Sequence, residues 1–110
     1  MFEVQVKGKY SHTLSVAEVG RRTAKAIKEL LNGFAATKVK VIRDNETDEM
    51  EFSCIISTYS ISGEVSINED HIKVVVDLPP AGIVFKKQVK DAMDKRIPKY
   101  LEEKELVDEP

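Results

Sequence analysis

Tryptophan is absent from these 110 residues, cysteine occurs once, and aromatic residues make up only 6% of the chain. A single cysteine excludes an intramolecular disulfide. The 5 glycines form no phosphate-cradling loop, and no serine sits in a G-x-S-x-G elbow. No apolar run approaches the roughly 20 residues that span a bilayer. Phe2, Val4 and Val6 alternate with Glu3, Gln5 and Lys7 and do not form the continuous apolar stretch of a secretion signal, so a cytoplasmic protein is expected. Neither sign of charge dominates: 17 Lys and Arg against 19 Asp and Glu leave a formal charge of −2. Binding to a phosphate backbone depends on unbalanced positive charge, which weighs against nucleic acid as a partner.

What is present is enough for one domain, expected over residues 1–104, with an acidic, fraying tail at 105–110. Its clearest feature is alternation. Met50, Phe52, Cys54 and Ile56 share one parity; Ile61, Gly63, Val65 and Ile67 form a second run, and Ile72, Val74, Val76 and Leu78 a third. A period of two places each set on one face of a strand. Turns are expected at 43–49, near Thr58, Tyr59 and Ser60, and at Asn68, Glu69 and Asp70. Strands are also expected over 37–43, through Val39 and Val41, and over 2–9, where Gly8 marks a bend or bulge.

Helical periodicity flanks the meander. Ser15 with Glu18 three positions on forms a capping pattern, and Val16, Val19, Gly20, Thr23, Ala24, Ile27, Leu30 and Leu31 then recur at three and four. Asn32 and Gly33 end the run, glycine being suited to a left-handed cap. After the prolines at 79 and 80, Phe85, Val89, Ala92, Met93, Ile97, Tyr100 and Leu101 mark a second buried stripe. Pro98 is expected to kink or restart this helix, and Phe85 to point into the sheet. The order β-α-β-β-β-β-α predicts an α+β two-layer sandwich, an antiparallel sheet with both helices on one face.

Candidate chemistry is sparse. Cys54 shares the core parity and reads as a small hydrophobe. His12 precedes the Ser15 cap and His71 adjoins a turn, neither with a partner at metal-ligand spacing, and both read as structural or solvent-exposed. The carboxylates of the 43–49 turn lack the glycine and distal glutamate of a calcium loop. Glu51, Glu64, Asp77 and Asp91 fall on strand backs or helix exteriors. No catalytic residue, cofactor site or metal site is therefore assigned.

Two surfaces remain. Ser53, Ile55, Ser57, Tyr59 and Val75 alternate with core residues and are expected on the sheet face away from the helices, where low charge suits a homodimer. Arg21, Arg22, Lys25 and Lys28 on the first helix and Lys86, Lys87 and Lys90 on the second are expected to form one basic patch if the helices lie side by side.

The run Tyr10-Ser11-His12-Thr13-Leu14 leads into a charged amphipathic helix. With Ile61-Ser62-Gly63-Glu64-Val65-Ser66-Ile67 and a closing helix that begins Phe85-Lys86-Lys87-Gln88-Val89, it resembles the small polyhydroxyalkanoic acid system family over about residues 2–101. The resemblance implies a non-catalytic accessory protein associated with a polyester granule or with another protein of that system, and carries over no catalytic residue. The residues themselves leave two alternatives open: phosphate or nucleic-acid binding through a basic helix face, or a small carrier of an apolar ligand in a groove between sheet and helices.

Overall fold

The computed structural model describes residues 4–44 and 46–102. Strand β1 (Val4–Ser11) precedes helix α1 (Val16–Gly33). Strands β2 (Thr37–Asp44), β3 (Glu49–Ile56), β4 (Tyr59–Ile67) and β5 (His71–Leu78) follow, then a 3-10 turn (Pro80–Phe85) and helix α2 (Lys86–Tyr100). The expected tail at 105–110, the domain end at 104 and Phe2 lie outside the described residues.

All pairings are antiparallel, and the strand order is β1-β5-β4-β3-β2. The short turns of the meander make sequence neighbours into sheet neighbours. β1 and β2 are the exception, because they occupy opposite edges, and α1 carries the chain between them. Four inter-strand steps of about 4.8 Å must be crossed, and an 18-residue helix, about 27 Å long at 1.5 Å per residue, is long enough to do so.

The three parity sets of the meander all face the helices, and Met50, Val65, Ile72 and Val74 are almost completely buried. α1 adds Val19, Ala26, Ile27, Leu30 and Leu31, and α2 lies over β1 with Val89, Met93, Ile97 and Leu101 beneath it. The α+β two-layer sandwich is therefore the fold of the chain. Cys54 is buried in this layer, and burial pushes its thiol pKa up, in keeping with a side chain that packs and does not react.

Local details depart from the pattern. Gly8 makes no bulge, since β1 pairs with β5 without interruption from Val4 opposite Leu78 to Ser11 opposite His71. The glycine instead leaves room for the Tyr10 ring, whose hydroxyl would lie 2.4 Å from a Cβ at position 8. No described glycine has a positive φ; past the end of α1 it is Ala35 that takes φ 57°, while the Leu31 carbonyl accepts from the N–H groups of Phe34 and Ala36. Pro98 does not interrupt α2: it falls in the last turn, so little helix follows it, and the Met93, Ile97 and Leu101 stripe continues past it. Phe85 is 47% exposed. The 3-10 turn before α2 swings it off the stripe that begins at Val89.

Candidate apolar binding site

The two layers do not close against each other at one end of the sandwich. Ile27, Leu30, Phe52, Val74, Met93 and Ile97 surround an inner chamber of about 30 Å³, whose lining is entirely apolar. Phe34, Ile56, Ile61, Leu78 and Val89 separate it from an outer chamber of about 250 Å³, to which they also contribute. Pro79, Gly82 and Phe85 form one side of the outer chamber, and Ser57, Tyr59 and Gln88 bring the polar groups. Tyr59 is 39% exposed, so with Phe85 it brings the outer chamber to the surface. A lining with no polar group gives water few partners. Met93, unbranched and polarizable, forms part of the inner wall.

The elements explain the opening. β3 and β4 turn through Ser57 and Thr58, with Ser57 at φ 58°, so Ile56 faces Tyr59 across the hairpin. Opposed residues share a face, and Tyr59 therefore stands on the same side as Ile61. The five residues expected on the outer sheet face accordingly divide. Ser53, Ile55 and Val75 do lie there, but Ser57 is in the turn and Tyr59 is on the helix side. Alternation misleads here because the count of two restarts where the chain reverses. The outer face is also more charged than the meander alone suggests: Lys7, Lys9 and Lys40 join it, and Glu51 stands directly opposite Glu64. One of the two edge strands, β2, is irregular between Thr37 and Lys40, with Lys38 at φ 52°, a form that discourages edge-to-edge pairing.

The basic patch does not assemble. Arg22 is buried beneath the helix pair, where its guanidinium donates to Glu18 at 2.8 Å and to the carbonyls of Tyr100 at 3.3 Å and Glu102 at 2.5 Å. Arg21 donates to the same Glu18 carboxylate, and the bonds from Arg21 and then Arg22 pull the Glu18 pKa down to about 2. The Tyr100 hydroxyl donates to Glu29, and Gly33 lies by Arg96, so α1 runs against α2 in the opposite sense. Lys86, Lys87 and Lys90 thus lie at the end of the pair away from Arg21, Arg22 and Lys25. Lys90 also pairs with Asp94 at 3.0 Å, close to the ring of Tyr10.

Tyr10, Asp94 and His12 join separate elements, while His71 and Asp44 make local contacts at turns. Tyr10 donates to Asp94 at 2.7 Å; burial and then this carboxylate push the tyrosine pKa far up, while Asp94 is held below its usual range. Buried His12 accepts from Leu14 N–H through Nδ1 at 3.2 Å and donates through Nε2 to the Asn68 carbonyl at 2.8 Å, tying the β1–α1 loop to the β4–β5 turn. His71 is half-exposed and bonds Asp70. In the 43–49 turn Asp44 accepts from the Glu46 backbone, which lowers its pKa.

The sequence held one overlooked signal for the site. Ile83, Val84 and Phe85 form a short apolar run two residues after the prolines, too brief for a strand, and its last residue, Phe85, lines the outer chamber.

No protein-family model and no curated protein sequence matches this chain. Among solved structures it is similar to a Thermus thermophilus protein, with a TM-score of 0.50 and 12% identity over 89% of this chain and 92% of that one. At that identity the likeness is one of fold. Norcoclaurine synthase from Thalictrum flavum is also similar: a point mutant with a transition-state analogue aligns at TM-score 0.43 and 13% identity over 92% and 96% of the two chains. Its complex with dopamine and hydroxybenzaldehyde gives 0.43 and 13% over 89% and 86%.

Proposed function

We propose that the chain is a non-catalytic binding module for a small amphiphile, its apolar part in the chamber between sheet and helices and its polar end at the mouth. One observation carries this reading: an apolar-lined interior leads to a rim where Ser57, Tyr59 and Gln88 supply hydroxyl and amide groups. Binding sites for small molecules pair an apolar lining with a few orienting polar groups in this way. The outer chamber, at about 250 Å³, lies slightly below the usual range of roughly 300–1,000 Å³ and favours a small ligand. The ordered polar groups elsewhere, His12, Arg22 and the Tyr10–Asp94 pair, join elements to one another and leave the chamber to packing and desolvation.

Decanoic acid tests the reading by methyl-detected NMR titration. Shift changes are expected at Ile61, Leu78 and Met93, and Ile61→Phe, which fills the boundary between the chambers, should abolish them. The reading fails if decanoic acid up to millimolar concentration leaves these methyl signals unmoved, or if Ile61→Phe binds it as well as the unmodified protein.

A further inference from the structure

Ile83, Val84 and Phe85 are consecutive, and they are 58%, 73% and 47% exposed. A single exposed apolar side chain is ordinary, whereas three in a row on a solvent-facing turn are a liability unless something covers them. Tyr59, 39% exposed, stands with Phe85 at the mouth of the outer chamber and enlarges the patch. The run passes without a break into Lys86 and Lys87, both exposed and neither in an ion pair among the described residues. Asp91, four residues on, shares a face of α2 with Lys87, yet makes no ion pair with it among the described residues.

We propose that this corner docks on an anionic lipid bilayer, with Ile83, Val84 and Phe85 entering the interface and Lys86 and Lys87 meeting the headgroups. Charge supports that occupant: the chain as a whole carries −2, so attraction to a negative surface must be local, and two lysines beside the apolar turn, both exposed and without an ion pair among the described residues, supply it. Continuity with the chamber supports it further. Phe85 and Tyr59 belong both to the exposed patch and to the chamber wall, so docking would set the mouth against the bilayer and let an apolar ligand pass between them without crossing water. No described helix is long and apolar enough to cross a membrane. The attachment is therefore peripheral, and by its small apolar area reversible. The inference rests on the ligand-binding reading for the purpose of docking, but the contact itself is measured separately.

Cosedimentation of the full chain compares vesicles of phosphatidylcholine alone with vesicles containing phosphatidylglycerol. Partitioning onto the anionic vesicles is expected to be at least tenfold stronger and to weaken with salt. Val84→Asp should lower it tenfold or more with an unchanged circular dichroism spectrum, and Ile83→Ser gives a second test should Val84→Asp fail to fold. The double change Lys86→Glu with Lys87→Glu should erase the preference for anionic lipid. Equal partitioning onto the two kinds of vesicle overturns the proposal, as does insensitivity to both apolar-turn variants. A dimer in solution that Val84→Asp dissolves would make a second copy the occupant and overturn it too. Ile61→Phe separates the two readings: it should lose decanoic acid and keep the vesicles.

Discussion

Phe52 lies over Gly63, its partner directly across β3 and β4, and its ring would come within 2.1 Å of a Cβ placed on that glycine. The ring covers the bare backbone of β4 and at the same time walls the inner chamber. Two glycines can then be set against each other. A Cβ on Gly63 also meets the Val75 carbonyl at 2.6 Å, which cannot give way cheaply, whereas the atoms nearest one on Gly20 belong to the guanidinium of Arg43, the far end of a flexible side chain. Gly63→Ala should destabilise by about 2 kcal/mol or more, as overpacking does. Gly20→Ala should change little, because the roughly 1 kcal/mol gain in helix propensity offsets the displacement of Arg43. Urea denaturation of both variants gives the ordering.

Tyr10→Phe removes the bond to Asp94. The group is buried and its acceptor charged, so a loss of about 2 kcal/mol is expected at neutral pH. The pH dependence has a definite sign. A tyrosine whose folded pKa is raised contributes stability in full below its unfolded value, about 10, and loses it as pH rises through the folded value. Thermal unfolding should therefore show a steeper alkaline decline in the unmodified protein than in Tyr10→Phe, and equal slopes would contradict the geometry.

Arg22→Met keeps the apolar stem and removes the charge that binds the carbonyls of Tyr100 and Glu102, at and just past the end of α2. With those acceptors left unmet, a cost of about 2 kcal/mol is expected. Glu18 reports on the same contact. Its pKa is lowered to about 2 by Arg21 and Arg22, so what the bonds add is present above the ordinary carboxylate range and is lost as pH falls toward 2. In Arg22→Met the Glu18 carboxyl, followed by NMR, should titrate at higher pH, with Arg21 retaining part of the shift.

Phe85→Ala should cost no more than about 1 kcal/mol, far below the roughly 3–5 kcal/mol of a buried phenylalanine, because nearly half of the side chain already meets solvent. A larger loss in denaturant titration would place Phe85 in the core after all.

Most of the sandwich could be read from alternation, and the reason is physical: Ile72, Val74, Val76 and Leu78 are spaced by two because one face of their strand meets the helices and the other meets water. The same rule failed at Tyr59, where a two-residue turn resets the count, and at Phe85, where a 3-10 turn breaks the helical phase. Arg22 looked like its neighbour Arg21, since nothing in a helical repeat shows that the end of another helix will supply carbonyls. The chamber was legible only as a groove between sheet and helices, because a cavity is what side chains leave unfilled and depends on how α2 settles against β1.

The pairing of β1 with β5 governs the order of assembly. Residues of β1 are made before the meander but find their partners only after all of it has been made, with Ser11 joining His71 and Val4 joining Leu78. Contacts of such long sequence separation carry a large loop-closure entropy and form late. The meander and α1 can organise meanwhile, leaving the β5 edge open to wrong partners until β1 arrives. Refolding is therefore expected to be slow for a chain of this size, and its rate should respond more to changes in the β3–β4 hairpin than to changes in β1.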